Sequence, residues 1–206
     1  MLSMRKVFFV MSFMVPTLAF AEPVAEVSGL RGQATLVQDG SSTPIAKGTQ
    51  VEAGSAIRTA KGRVKLRFVD GSVVIIGDNS VFKVTAFESE GGQRKDAKLS
   101  LDVGLVSQTV TKANGAGWLV RTPTLVTAVR GTEFIVDVAS DATTSVVIRS
   151  GKVIVKPTNA KKTRSLPKLL KKPDSGVMCN LEGECLNTRQ TSYDRLKAFE
   201  DRLSGV

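Results

Sequence analysis

The 206-residue chain has no histidine, and that absence excludes more chemistry than any residue present suggests. Without it there is no Ser-His-Asp or Cys-His catalysis, no histidine-ligated zinc and no histidine pH switch. Aromatic residues are scarce at 5%, and four of the nine Phe (Phe8, Phe9, Phe13, Phe20) fall within the first 21 residues. The remainder keeps five Phe, Trp118 and Tyr193. A carbohydrate groove or a single-stranded nucleic-acid platform uses more stacking surface than that. Cysteine is limited to Cys179 and Cys185. Composition therefore points away from catalysis, and no cofactor is implied.

The long apolar run Val7–Phe20 follows the positive pair Arg5-Lys6 and ends in Ala19-Phe20-Ala21, a small-x-small cleavage pattern before Glu22. These are the three parts of a secretory signal over residues 1–21. A run of about 14 apolar residues is short for a bilayer, which needs roughly 20 in a helix. The expectation is a periplasmic or secreted protein without a membrane span after cleavage. Its net charge would fall from +10 to +8 as Arg5 and Lys6 leave. Nucleic acid is not an expected partner of an exported protein despite that charge. In such a compartment the two cysteines read as a disulfide closing a small loop. A redox pair favours two intervening residues, and here there are five.

Residues 22–157 contain 22 Val, 7 Ile and 13 Thr against 8 Leu. β-Branched side chains are stiff at χ1 and suit an extended backbone. Val64, Leu66 and Phe68 alternate with Lys65 and Arg67, and the same period recurs at Phe134, Val136 and Val138 and at Leu99 and Leu101. Turn signals return about every ten residues, with Asp70-Gly71 a good tight turn between apolar runs. Val73-Val74-Ile75-Ile76 suggests a strand covered on both sides. The expected fold class is all-β, a solenoid-like or sandwich-like stack of short strands, followed by a basic linker and a short C-terminal helix.

The expected organisation is a signal over 1–21, a β-domain over 22–156, a linker over 157–176, and a Cys loop with an amphipathic helix over 177–206. In the linker region Lys156, Lys161, Lys162, Arg164, Lys168, Lys171 and Lys172 stand with no acid among them, broken by Pro157, Pro167 and Pro173. This run could dock on an anionic envelope polymer, anionic lipid or an acidic protein face. As a charge run it reads first as a solvated linker. The closing helix aligns Leu196, Phe199 and Leu203 on one face, a stripe expected to pack on the domain body or a partner.

The run Thr122-Pro123-Thr124-Leu125-Val126-Thr127-Ala128-Val129-Arg130-Gly131-Thr132-Glu133-Phe134 resembles the hallmark of the FecR domain. Gly32-Gln33-Ala34 and Gly48–Thr59 resemble its opening, Val64–Phe68 with Asp70-Gly71-Ser72 its middle, and Gly151-Lys152-Val153 its close. The resemblance covers about residues 27–156. It implies an all-β, solenoid-like scaffold without catalytic residues. Members that gave the family its name regulate sigma factors from the inner membrane, with a cytoplasmic segment ahead of a membrane helix. This sequence has a signal pattern in that place and resembles the stand-alone secreted type. The implied role is a non-catalytic envelope binding module. The alternative is an accessory component of envelope signalling meeting a receptor or regulator.

Single residues carry two readings each. Arg130 could present charge to an acidic partner. The favoured reading is structural: Gly131 supplies a special backbone angle, Thr132 closes the turn, and Arg130 satisfies carbonyls or a carboxylate between layers. Asp70, Asp78, Glu88, Glu90 and Asp102 are the carboxylates a glycosidase would recruit, needing two about 5–9 Å apart at a sugar site. Asp70 is already explained as a turn former. Trp118, isolated beside a strand, reads as packing rather than contact surface.

Overall fold

A computed structural model of the chain describes residues 22–113, 115–159, 168–188, 197–198 and 201–203. The expected signal, Lys161, Lys162, Arg164, Leu196 and Phe199 lie outside the described residues.

The described residues form β1 (Pro23–Gln38), β2 (Ser41–Pro44), β3 (Gln50–Glu52), β4 (Ala56–Phe68), β5 (Val73–Ile76), β6 (Val81–Glu90), β7 (Gln93–Thr109) and β8 (Trp118–Arg121). They continue with β9 (Leu125–Val129), β10 (Glu133–Val138), β11 (Thr144–Ser150), β12 (Val153–Pro157), β13 (Lys168–Leu170), β14 (Gly176–Cys179) and β15 (Cys185–Thr188). The pairing is antiparallel except where β8 runs parallel to β7. The class is all-β, as the β-branched composition requires.

Strand register resolves the sheet into two stacked layers. In one, β2 flanks the second half of β1, followed by the first half of β4, β6, the first half of β7, then β8, β9, β12 and β13. In the other, β3 flanks the first half of β1, followed by the second half of β4, β5, the second half of β7, then β10, β11, β14 and β15. The long strands β1, β4 and β7 belong to both layers. They bend across at Gly32, which opposes Gly62 in the ladder, and at Gly104. A bend within a strand lets one ladder serve two sheets, as at the corners of orthogonal sandwiches.

The inner faces meet in one core. Val64, Leu66 and Phe68 point inward at 2% exposure or less, while Lys65 and Arg67 point outward. Phe68 stacks on Phe87 at 5.3 Å between centroids and meets Trp118 edge-on at 5.2 Å, joining the two layers. The outer face of the second layer is partly covered as well. Leu203, in the helical turn 201–203, packs with Leu105, Ile135 and Val147, and Ile75 lies against them. Arg202 reaches Asp137 at 3.4 Å and Asp78 at 3.6 Å, flanking that apolar patch with charge pairs. This is why Ile135 in β10 and Val147 in β11 are apolar and buried on the outward face, and it places the expected helix stripe, at Leu203, on the domain body.

Past Pro157 the described strands still belong to the sandwich. β13, within the stretch expected to be linker, extends the first layer by pairing with β12. β14 and β15, in the expected Cys loop, extend the second through β11. Cys179 and Cys185 face each other across that last hairpin with S–S 2.00 Å, the pair expected to be bridged.

Candidate functional site

The hallmark run spans a turn, a strand, a layer crossing and a second strand. Thr122 Oγ1 accepts the Leu125 N–H at 3.0 Å and shares a hydrogen bond with Thr144 Oγ1 at 3.0 Å, so the Thr-Pro-Thr turn is pinned to the opposite layer. Thr124 Oγ1 donates to the Cys179 carbonyl at 3.3 Å. Thr158 Oγ1 donates to the Pro123 carbonyl at 2.8 Å, closing the other side of the turn. Phe134 is fully buried at the start of β10.

Between β9 and β10 the chain changes layer at Gly131, with φ +64°. A Cβ there would lie 2.8 Å from Lys112 Cβ. The returning crossing between β11 and β12 is at Gly151, where a Cβ would stand 2.7 Å from the Gly131 carbonyl oxygen. Two backbones this close leave room only for hydrogen. Thr132 Oγ1 donates to the Lys152 carbonyl at 2.9 Å, so it ties the two crossings together rather than closing its own turn. Arg130 is exposed and its Nε donates to the Ala113 carbonyl at 3.2 Å.

The same end of the sandwich holds a charged network that the sequence conceals. Arg94, 1% exposed, donates to Asp70 and to Ser72 Oγ (3.1 Å) through Nη1 and to the Thr111 carbonyl (2.9 Å) through Nη2. Its guanidinium carbon sits 5.0 Å from the Trp118 ring centroid, a cation–π stack. Trp118 Nε1 donates to Gln108 Oε1 at 2.8 Å. Burial pushes the Arg94 guanidinium below its ordinary value, and the Asp70 charge and hydrogen bond oppose that shift. Asp70 also accepts the Ser72 N–H at 2.9 Å. It is thus the turn former expected, with Gly71 at φ +80°, and in addition the counter-ion of a buried cation. Local sequence gives no sign of this, because Gly91–Asp96 reads as an ordinary charged turn. A cleft of about 470 Å³ opens beside the pair, bordered by Gln93, Lys95, Thr111 and Lys112.

The other carboxylates are dispersed. Asp78 lies against Arg202, Glu90 pairs with Lys95 at 3.0 Å, and Glu88 opposes Asp96 on the β6–β7 ladder. Asp102 is exposed in β7. Asp70 and Asp78 do not frame a common cleft. Of the basic run, Lys156 is exposed on β12, and Lys171 and Lys172 are exposed beyond β13. Lys168 points inward, and its Nζ donates to Asn187 Oδ1 at 3.2 Å, bridging the two layers at the open end. Among the described residues no three acidic or cysteine side chains stand together as a metal site, and no helix is long and apolar enough to cross a membrane.

A two-layer β-stack with glycine crossings, its motif residues serving as fasteners, defines the class: a β-scaffold domain. Residues 55–154 match the model of the family described as FecR protein. The match begins at Ser55, so Gly32-Gln33-Ala34 and Gly48–Gly54 lie outside it. The fold is similar to two crystal structures of a candidate anti-sigma factor from Parabacteroides distasonis ATCC 8503. One has a TM-score of 0.58 at 21% identity, covering 70% of this chain and 64% of that chain. The other has 0.53 at 23%, covering 64% and 57%. This chain therefore spans about six tenths of their length. No curated protein matches it.

Proposed function

We propose that the protein is a non-catalytic interaction module of the cell envelope, exported by its N-terminal signal, that binds a protein partner in envelope signalling. The observation that carries this reading is the use made of Asp70. Asp70, a carboxylate an enzyme would recruit, is ion-paired with the buried Arg94 and accepts the Ser72 N–H, so its charge is committed as a fastener between turns. The FecR match and the likeness to a candidate anti-sigma factor support a signalling context by analogy of fold.

In-cell cross-linking of the exported protein, with identification of the adducts, tests the proposal. The expected product is a stable adduct with an envelope protein. Fractionation of the protein to the cytoplasm would defeat the reading. So would turnover of a glycan that Asp70→Asn or Asp78→Asn abolishes.

A further inference from the structure

The outer faces of the two layers differ. That of the second layer is covered where Leu203 sits on Leu105, Ile135 and Val147 and Arg202 pairs with Asp78 and Asp137. There a helical turn lays its apolar side on the sheet and its cation on flanking acids. The first layer carries the same pattern with the opposite sign. Register aligns Leu119, Ala128, Ile154 and Leu169 in a single row across β8, β9, β12 and β13. Their neighbours along β8, β9 and β12, and Leu170 on β13, are buried inward, so this row faces out, with Ile154 48% and Leu169 49% exposed.

Cations flank the row on both sides. Two residues along in one direction Arg121 and Lys156 sit either side of Val126, and all three are in register. Two residues along in the other stand Arg130, Lys152 and Lys171, each exposed. Residues 118–131, 151–157 and 168–172 contain no acid. At the β7 side the row ends on Lys98, ion-paired to Asp96 at 3.0 Å.

Dimensions specify what fits. Four strands at about 4.8 Å spacing make a row about 14 Å long, and the flanking cations lie about 7 Å to each side. A helix is about 10–12 Å wide with side chains and rises 1.5 Å per residue, so about ten residues would span the row. Its apolar stripe would meet Leu119, Ile154 and Leu169, and acids on its two shoulders would reach the cation rows.

We infer that the outer face of the β8–β9–β12–β13 sheet is a docking surface for an amphipathic helix, supplied by a partner protein, whose apolar stripe is flanked by Asp or Glu. The occupant is not this chain's own sequence outside the described residues. Residues 1–21 and 160–167 carry only basic charges, residues 189–196 carry two Arg against one Asp, and Glu200 stands between residues 197–198 and 201–203, whose Leu203 packs on the other layer. The mode is helix on an apolar surface with charge setting specificity. It rests on the interaction-module reading and assigns that module its surface and the class of its ligand.

The test uses the full exported chain. One probe is a 14-residue helical peptide with Leu at helical spacing flanked by Glu, titrated by fluorescence anisotropy. The others are the same peptide with Lys for Glu, and vesicles of phosphatidylglycerol and phosphatidylcholine. The Glu peptide should bind at least tenfold tighter than the Lys peptide. Ile154→Gln with Leu169→Gln should weaken it at least tenfold, and so should Arg121→Glu with Lys156→Glu, with thermal midpoints within a few degrees of the parent. Equal binding of the two peptides overturns the inference, as does retention of binding in both double variants. Binding to vesicles but not to the Glu peptide would make the face a lipid-docking surface instead. In cells, a photo-cross-linker at position 154 should join an acid-flanked helix of an envelope protein, located by peptide mapping. If cross-linkers elsewhere on the chain capture an envelope protein and that at 154 does not, the module reading stands and this surface assignment falls.

Discussion

Arg94 and Asp70 show how a single pair can serve as a fastener between distant turns. They are 24 residues apart, and each is exposed to little or no water. A buried ion pair is worth little against an apolar replacement, yet removing one partner strands the other charge and costs about 3–5 kcal/mol. Arg94→Met should therefore lower stability by about that amount, since Asp70 then loses its cation while the Trp118 ring loses its stacked neighbour. Asp70→Asn together with Arg94→Met should cost less than the sum of the single changes, measured by urea unfolding. Additive losses would show that the two groups act separately. Gly131 makes a different demand, of backbone and space. Its positive φ alone is worth about 1–3 kcal/mol to a β-branched residue. The 2.8 Å approach to Lys112 adds a clash, so Gly131→Val should exceed that range, and an unchanged midpoint would falsify it. The glycine was legible in the sequence because it interrupts two apolar runs. The ion pair was not, because nothing local distinguishes a buried arginine in a charged turn from a solvated one.

At the scale of elements, alternation carried most of the information. Val64, Leu66 and Phe68 against Lys65 and Arg67 were assigned to faces from period alone, as were Leu99 and Leu101. Ile135 and Val147 escape that rule because Leu203 returns from the end of the chain to cover them. The crossing of β1, β4 and β7 between layers was also hidden, since a bent long strand and two short ones share a pattern. The same difficulty made β14 and β15 look like a loop behind a linker. The pairing of β14 with β11, and of β15 with β14, bears on the disulfide. A bridge closing seven residues constrains the unfolded chain by about 2 kcal/mol. With the hairpin built into the second layer, reduction should lower the main unfolding transition by a few degrees rather than leave a separate, earlier step. Calorimetry with and without reductant distinguishes the two, and a distinct low-temperature transition would mean the hairpin folds alone. Protein recovered from an oxidising compartment should contain no free thiol.

Charge acts on the molecule as a whole, and here it acts against the fold. The chain carries +10, and the half-sheet β8–β9–β12–β13 adds cations without acids between them. Surface pairs such as Lys95–Glu90 and Lys98–Asp96 are solvent-exposed and contribute little. The one deeply buried pair described, Arg94–Asp70, is shielded from ions in solution. Added salt therefore has little attraction to screen and considerable repulsion. The Debye length falls from about 30 Å at 0.01 M to about 8 Å at 0.15 M, so the thermal midpoint should rise over that range. Replacing Lys156, Lys171 and Lys172 with Gln should raise the midpoint at low salt and flatten its salt dependence. Lys168 must be kept, because its Nζ holds Asn187 across the open end of the stack and an inward charge there blunts an exposed edge strand. A partner bearing acids would relieve the same repulsion on docking, which makes association faster at low salt and ties binding to stability. A midpoint that falls as salt is added would mean that attraction between surface charges, and not repulsion, dominates the folded chain.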